Sequence, residues 1–136
     1  MSNVQELADR YVAVWNEPDP DRRRESIAEL WSEGGAQTLQ PPADMSDAAG
    51  RLGFTAVLEA RGHEALETRV ARAYEEFVAP GEFRFRARGA ATRVGDVVRL
   101  GWEMVGAGDG EVAGSGVEFI VLDRDGRIRL DYQFVD

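Results

Sequence analysis

The chain of 136 residues contains no cysteine and no lysine, and its single histidine is His63. Without cysteine it has no disulfide framework, no thiolate metal site and no cysteine nucleophile. One histidine is too few for the multi-histidine sets that hold most catalytic zinc or non-haem iron. All sixteen basic residues are arginines, which excludes Schiff-base chemistry by a lysine. We therefore expect no metal and no cofactor, and any chemistry must come from carboxylates, arginine and tyrosine.

The charge balance is one-sided, with 25 acidic against 16 basic residues and a formal net charge of −9. Such a charge repels phosphate backbones, so we expect no nucleic-acid partner. No run of 18 apolar residues occurs, and the N-terminus lacks a basic start followed by an apolar run. We therefore expect no membrane partner and a cytoplasmic protein. The length predicts a single domain over residues 1–136, and its 43% of hydrophobic residues are enough to form a core.

The first half of the chain has mainly helical periodicity. Apolar residues recur at three- and four-residue spacing in three segments, which predict three helices. The first helix opens with a capping box of Ser2 and Gln5 and closes before Pro18, the second runs from Asp19 to Gly34-Gly35, and the third runs from His63 to Val78. Between them, residues 36–40 predict a short extended piece. Residues 43–61 have no sustained period, so we expect a loop there, with a short helix around residues 55–60.

The second half alternates apolar and polar residues with a period of two, which predicts strands. The expected strands lie near residues 82–88, 97–104, 112–122 and 127–135, and Asp125-Gly126 is a hairpin signal before the last one. Helices followed by an antiparallel meander are typical of an α+β fold, in which the helices pack on one face of a curved sheet.

Glu118 is the first candidate for acid–base chemistry. In its predicted strand it shares a face with Ile120 and Leu122. If that face points inward, the carboxylate enters apolar surroundings, where it is either paired with an arginine or has a raised pKa that suits proton transfer. A structural and a functional role both remain open for Glu118.

Asp131, in the last predicted strand, is the second candidate. Simple alternation places Tyr132 and Phe134 inward and Asp131 outward, where a salt bridge to Arg99 or Arg129 would be a purely structural role. A catalytic role for Asp131 therefore requires the opposite face of the strand to point inward.

Other side chains are candidates for ligand binding. His63 has an unperturbed pKa that suits a general base, but it also lies where a polar residue caps the start of the third helix. Large aromatic residues line ligand cavities and also dominate cores, so both roles stay open for four of them. These residues are Tyr11, Trp15, Trp31 and Trp102.

The order of elements and several phrases resemble the nuclear transport factor 2-like superfamily, and its SnoaL-like branch in particular. The matching phrases are VAVWNE in the first helix, SIAELWSEGG in the second, GHEA at the start of the third, VVRLGWEM, and the closing GVEFIVLDRDGRIRLDYQFVD. The resemblance covers nearly the whole chain, although each phrase alone is loose. It implies a cone-shaped α+β fold, in which a strongly bent antiparallel sheet wraps three helices. It also implies a pocket in the mouth of the cone and a homodimer formed through the outer face of the sheet.

The resemblance implies site residues as well. Asp131-Tyr132 resembles the Asp-Tyr pair of the limonene epoxide hydrolases in this family, and Arg99 resembles their arginine, but Gly101 stands where an aspartate is expected. Tyr11 or Tyr132 with Glu118 could imitate the tyrosine and protonated acid of the ketosteroid isomerases. The pocket side of the last strand would be Asp131 and Gln133, against the prediction from alternation. A β-bulge in that strand would reconcile the two.

The function expected from this combination is a small-molecule pocket protein that performs cofactor-free acid–base chemistry of the cyclase, isomerase or epoxide hydrolase type. Its substrate would be an apolar polyketide-, steroid- or terpenoid-like compound. Asp131, Glu118 and Arg99 would be catalytic, and the ligand would contact Tyr132, Gln133, Trp102, Trp15, Tyr11, Trp31 and His63. The alternative is a non-catalytic ligand-binding or dimerisation module of the same fold. A cavity with a carboxylate facing an apolar wall favours an enzyme, and a cone filled by aromatic side chains favours the alternative.

Overall fold

The computed structural model describes residues 3–136, and these form four α-helices, one π-helical turn and six strands. The helices are α1 (Val4–Asn16), α2 (Pro20–Leu30), α3 (Ala43–Arg51) and α4 (His63–Ala73), and α4 continues as the π-helical turn Tyr74–Val78. The strands are β1 (Trp31–Leu39), β2 (Leu58–Arg61), β3 (Phe83–Val94), β4 (Val97–Gly106), β5 (Val112–Leu122) and β6 (Ile128–Val135).

Helix α1 begins with a side-chain cap from Asn3. The Asn3 side chain accepts a hydrogen bond from the backbone N–H of Glu6 at 2.7 Å, which satisfies one of the free donors of the first turn. The predicted capping residue Ser2 lies outside the described residues. Helix α2 begins as predicted, with Asp19 as its cap and Pro20 at its first position.

The six strands form one mixed sheet in the order β2-β1-β6-β5-β4-β3. Strands β3 to β6 make the predicted antiparallel meander. Strand β1 pairs with β6 in parallel, so the expectation of a wholly antiparallel sheet is wrong at this point. Strand β1, from the first half of the chain, therefore lies beside β6, the last strand.

The core lies between the inner face of the sheet and helices α1, α2 and α4. The helices contribute buried residues at helical spacing, and β4, β5 and β6 contribute buried residues that alternate along the strands. Among them are Ala8, Val12, Ile27, Leu30, Leu66, Val70, Val98, Leu100, Ile120, Leu122 and Ile128. None of the helices in the described part of the chain is long and apolar enough to cross a membrane.

The second helix is shorter than predicted. It ends at Leu30 rather than at Gly34-Gly35, and Trp31 is already the first residue of β1. Trp31 is fully buried, so its side chain belongs to the core although its backbone is extended. Gly35 is required here because a Cβ at this position would lie 2.7 Å from the carbonyl oxygen of Ile128. Gly35, which was predicted to end a helix, therefore allows a close approach of two strands instead.

The segment 43–61 also differs from the prediction. Its helix, α3, lies at Ala43–Arg51 instead of around residues 55–60, and Leu58–Arg61 forms strand β2 beside β1. No residue of α3 is buried, so this helix contributes nothing to the core. The short helix expected in this segment therefore exists, but it lies earlier in the chain than predicted.

The last strand contains the irregularity that decides which residues point inward. Its pairing with β5 shifts by one residue between Val121–Leu130 and Leu122–Ile128. Ile128 and Asp131 are therefore both fully buried, although they are three residues apart. The prediction that Tyr132 points inward is wrong, because this bulge reverses the alternation beyond Leu130.

Candidate functional site

A cavity of about 300 Å³ opens between α1, α4 with its π-helical turn, and the inner face of the sheet. This volume is at the lower end of the range for small-molecule pockets. Its wall is mostly apolar and aromatic, formed among others by Val12, Trp15, Phe77, Phe85, Trp102 and Met104. Polar side chains reach the cavity from only a few positions, chiefly Tyr11, Arg69, Glu118 and Gln133.

Three neighbouring strands bring polar side chains to one place behind this wall. Glu118 of β5 pairs with Gln133 of β6, and Asp131 of β6 pairs with Gln37 of β1. Because side chains alternate along a strand, all four lie on the inner face of the sheet. Tyr11 reaches the same place from α1, where it lies on the helix face that packs on the sheet.

The Tyr11 hydroxyl joins the two carboxyl groups. Its Oη lies 2.8 Å from Glu118 Oε1 and 2.6 Å from Asp131 Oδ2, and Gln37 Nε2 donates to it at 3.1 Å. A tyrosine hydroxyl has one hydrogen, so it serves only one of the two carboxyl contacts. The other contact needs a hydrogen from the carboxyl group itself. The geometry therefore requires that Glu118 or Asp131 is protonated.

The electrostatics place that proton on Glu118. Burial, and next to it the negative charge of Asp131, raises the pKa of Glu118 from 4.5 to about 10, although hydrogen bonds from Tyr11 and Trp102 act in the opposite direction. Burial also raises the pKa of Asp131, but its hydrogen bond with Glu118 favours the ionised form of Asp131. Burial and the same two carboxyl groups raise the pKa of Tyr11 well above its ordinary value. At neutral pH, Glu118 is a neutral acid and Tyr11 a neutral phenol.

Trp102 fixes the orientation of the Glu118 carboxyl group. Its indole Nε1 donates a hydrogen bond to Glu118 Oε2 at 2.9 Å. The indole ring lies over Gly116 on the neighbouring strand, and a Cβ at Gly116 would come within 2.5 Å of the Trp102 ring. The glycine therefore makes room for the side chain that holds the acid in place.

Arg69, on α4, supplies a positive charge to the cavity wall. Its Nε donates to Gln37 Oε1 at 3.1 Å, its Nη2 donates to Gln133 Oε1 at 3.2 Å, and its guanidinium lies 5.2 Å from the centre of the Trp15 ring. Burial lowers the pKa of Arg69, while the nearby acidic groups oppose that shift. Gln37 thus stands between Arg69 and the carboxyl groups and hydrogen-bonds to both sides.

The structure brings together six of the residues that the sequence singles out. Glu118 and Asp131 are both fully buried at the Tyr11 hydroxyl, and of the two only Glu118 is part of the cavity wall. Asp131 Oδ1 has no hydrogen-bond partner within residues 3–136. The other members of the six, Trp15, Trp102 and Gln133, are part of the cavity wall together with Tyr11 and Glu118.

Four predicted site residues lie elsewhere. Arg99 is exposed on the outer face of β4, between the inward residues Val98 and Leu100, so it does not orient a carboxylate. Tyr132 is 40% exposed on the outer face of β6 because of the bulge. Trp31 is buried in the core beside Tyr11, with ring centres 5.6 Å apart, and it does not line the cavity. His63, the first residue of α4, makes no capping hydrogen bond; its Nε2 lies 2.9 Å from the Trp31 carbonyl oxygen, and it does not line the cavity.

Two residues of the site, Arg69 and Gln37, are absent from the candidates that the sequence provides. Arg69 sits beside Val70 on the apolar stripe of α4, and an arginine at that place is typical of a partly solvated helix edge. Gln37 is fully buried in β1. The pairing of β1 with β6 shifts between Trp31 and Ala36, so simple alternation along β1 does not indicate that Gln37 points inward. Only the tertiary pairing of β1 with β6 makes either residue significant. Within residues 3–136, no group of three His, Cys, Asp or Glu side chains is arranged to hold a metal ion.

Comparison with known proteins identifies similar folds. No protein-family model matches the chain, and no functionally curated protein matches it. Among solved structures, it is similar to a SnoaL-like family protein from Agrobacterium tumefaciens that carries the provisional name of isomerase. The TM-score is 0.76 at 25% identity, over 96% of this chain and 94% of the other.

Two further solved structures cover nearly the whole chain at lower identity. A nuclear transport factor 2-like protein of unknown function from an Exiguobacterium species has a TM-score of 0.63 at 19% identity, over 96% of this chain and 98% of the other. A protein from Sinorhizobium meliloti with the provisional name of polyketide cyclase has a TM-score of 0.59 at 13% identity, over 95% and 94% of the two chains. These similarities support the α+β cone that the sequence predicts.

Proposed function

Because this chain belongs to the nuclear transport factor 2-like, SnoaL-like superfamily, we propose that it is a cofactor-free acid–base enzyme that acts on an apolar carbonyl compound. The observation that carries this proposal is the neutral Glu118 carboxyl group at the wall of an apolar cavity, hydrogen-bonded to Tyr11 and Trp102. A carboxylic acid that stays protonated at neutral pH donates a hydrogen bond to an oxygen on which negative charge develops.

The proposed reaction begins with enolisation of the bound ketone. The Glu118 proton, which donates to Tyr11 before the ketone binds, turns to the carbonyl oxygen and is transferred to it. The electron pair of an adjacent C–H bond forms the new C=C bond, and the π pair of the C=O bond moves to the oxygen that takes the proton. The proton of that C–H bond returns to the ionised Glu118, so the enzyme ends in its starting state. This step is shared by isomerisations and aldol-type cyclisations, the two classes to which the provisional names of the similar structures belong.

Tyr11 and Asp131 assist these proton transfers to and from Glu118. When Glu118 is ionised, the single hydrogen of the Tyr11 hydroxyl is able to turn from Asp131 to Glu118 Oε1, and Trp102 still donates to Oε2. The negative charge of Asp131 nearby raises the proton affinity of Glu118, which makes its carboxylate a strong base toward the C–H proton. Asp131 acts through Tyr11 and Glu118 because it is not part of the cavity wall.

The cavity supports an apolar substrate of modest size, such as a polyketide-, steroid- or terpenoid-like ketone. Apolar side chains, aromatic and aliphatic, form most of the wall, so the bound molecule gains stability by removing apolar surface from water. Exclusion of water also strengthens the hydrogen bonds at Glu118. No cofactor is needed for this chemistry, since each proton comes from and returns to a side chain.

The test is the exchange of the C–H protons of 2-tetralone, a bicyclic ketone, for deuterium in D2O, followed by proton NMR. We expect the wild-type protein to accelerate exchange over buffer, and Glu118→Gln to lower the rate by at least about 100-fold, since general acid–base catalysis contributes roughly 10² to 10⁴. Glu103→Gln is the matched control, because Glu103 pairs with Arg86 outside the cavity. Equal exchange rates for wild type and Glu118→Gln would contradict the proposal.

A non-catalytic ligand carrier is the second candidate. The fully buried positions of Glu118 and Asp131 favour it, since a carboxyl pair bridged by a phenol also serves to fix a polar core. The same exchange experiment separates the two functions. A carrier would bind 2-tetralone without accelerating exchange, and Glu118→Gln would leave the exchange rate at the level of buffer alone.

We also propose that the protein forms a homodimer through the outer face of the sheet. Apolar side chains continue across β5 and β6 on that face, where Val117 pairs with Phe134 and Phe119 pairs with Tyr132. The Phe119 and Phe134 rings pack edge to face with centres 5.7 Å apart, and Phe134 is 44% exposed. A second copy that covers this face would remove the exposed apolar surface from water.

A further inference from the structure

Arg69 is a cation in the cavity wall that the proposed proton transfer does not use. It is the one positively charged side chain among the residues that line the cavity in residues 3–136. Its two hydrogen-bond partners, Gln37 and Gln133, are neutral amides. No carboxylate of the described chain lies within ion-pairing distance of it, although seven other arginines, Arg10, Arg22, Arg24, Arg61, Arg86, Arg88 and Arg93, form salt bridges.

The two amides hold the guanidinium in a fixed orientation without neutralising its charge. The Gln37 amide is itself fully buried, and it is held from the other side by its donor contacts to Tyr11 and Asp131. The Trp15 ring lies against the guanidinium and limits its movement further. Placing a charge among apolar side chains costs free energy unless an opposite charge offsets it. A rigid, partly buried cation without an ion pair is therefore a site for an anionic group.

Arg69 also retains the donors that an anion needs. An arginine has five N–H donors, and the Nε and Nη2 contacts use two of them, which leaves three. Two of these belong to Nη1 and one to Nη2, the pair of nitrogens whose parallel N–H bonds match the two oxygens of a carboxylate. Burial lowers the pKa of Arg69, but arginine keeps its proton at neutral pH.

We propose that the ligand of this cavity is an apolar molecule with a single carboxylate group, which binds the free Nη1 and Nη2 donors of Arg69. Its apolar part packs on the aromatic wall, and the carbonyl group that reacts lies toward Glu118. This assignment rests on the proposed function for its site, because the cavity at Glu118 is where the ligand binds. It goes beyond that function in defining the substrates as apolar keto acids rather than neutral ketones.

The test compares acids with their neutral amides. Three probe pairs are titrated into the protein at pH 7 by isothermal titration calorimetry: benzoate and benzamide, 2-naphthoate and 2-naphthamide, and cyclohexanecarboxylate and cyclohexanecarboxamide. For the pair that fits the cavity best, we expect the acid to bind at least about tenfold more tightly, since a hydrogen bond to a charged group stabilises more than a neutral one. In Arg69→Met this preference falls to about one while binding of the amide is kept.

Arg72→Met is the matched control, because Arg72 is exposed on the same helix and does not line the cavity. It is expected to keep the preference of the wild-type protein. Thermal unfolding of both variants verifies that they fold. A wild-type protein without a preference for the acid in any pair, or an Arg69→Met variant that keeps the preference, overturns the proposal. Glu118→Gln separates this result from the proposed function, since it is expected to keep the acid preference and lose proton exchange.

Discussion

Tyr11, Glu118 and Asp131 behave as one unit, because the Tyr11 oxygen lies within hydrogen-bonding distance of both carboxyl groups. Replacing any one of them changes the hydrogen bonds of the other two. The unit is buried, so its proton is part of the folded structure as well as of the proposed chemistry. The stability of the protein must therefore depend on pH in a way that surface carboxylates would not produce.

The unfolding free energy is expected to fall as the pH rises from about 5 to about 9. The unfolded chain releases the Glu118 proton near its ordinary pKa of 4.5, whereas the folded chain holds it up to about 10. Between these values the folded state binds one proton more than the unfolded state, so a higher pH favours unfolding by about 1.4 kcal/mol per pH unit. The stabilising contribution is complete below 4.5 and is lost as the pH approaches 10. Urea unfolding at several pH values measures this slope.

Glu118→Gln provides the comparison for that slope. The amide has nearly the shape of the protonated acid, but it has no proton to release, so the fall in stability between pH 5 and 9 should become shallower. Glu103→Gln, on the outer face, should keep the slope of the wild-type protein. A stability that rises over this pH range in the wild-type protein would mean that Glu118 is ionised in the folded state.

At the scale of elements, strand β5 positions Glu118 through Gly116, which leaves room for the Trp102 ring. Gly116→Ala should destabilise the fold by roughly 1–3 kcal/mol, since its Cβ would come within 2.5 Å of both the Trp102 ring and the Phe134 carbonyl oxygen. The displaced indole would also release its hydrogen bond to Glu118. Urea unfolding measures the loss, and the near-ultraviolet circular dichroism of the tryptophans reports the displacement.

Gly114→Ala on the same strand is the control for that substitution. A Cβ at Gly114 would meet only the methyl group of Met104, at 3.9 Å, which is an ordinary contact. Its unfolding free energy should change little. Equal losses for the two substitutions would indicate a general effect of alanine in β5 and would contradict the role assigned to Gly116.

The meander of β3 to β6 could be predicted because each strand buries one face, which leaves an alternating pattern in the sequence. Which face of β6 points inward could not be predicted in this way. Both of its faces carry large apolar residues, since Tyr132 and Phe134 belong to the outer apolar surface and Ile128 to the core. When both faces of a strand are apolar, alternation does not reveal a bulge that exchanges them. Only the family resemblance indicated that Asp131 and Gln133 point into the pocket.

The candidate site could be predicted only in part, for a similar reason. Glu118 stands out in sequence because it interrupts an apolar face. Gln37 and Arg69 do not, because their importance comes from contacts across 32 residues of sequence that the pairing of β1 with β6 creates. Helix α3 has no buried residue, so no packing against the core marks its position in the segment 43–61.

At the scale of the whole molecule, the outer face of the sheet is expected to form the interface of a homodimer. Sedimentation velocity should give twice the mass of one chain for the wild-type protein. Phe134→Asp should give a monomer, because it places a charge in the centre of the apolar surface formed with Phe119. Val94→Asp, at an exposed position at the end of β3, should leave the dimer intact. A monomeric wild-type protein would contradict the proposed interface.

The central claim is that Glu118 is a neutral acid inside the folded protein at physiological pH. The most direct measurement is a pH titration by carbon-13 NMR of protein labelled at the glutamate carboxyl carbons, with the Glu118 signal identified by its absence in Glu118→Gln. We predict that this signal has the chemical shift of a protonated acid at pH 7 and begins to move only above about pH 9. A Glu118 signal that titrates near pH 4.5, together with the exposed glutamates, would contradict the claim.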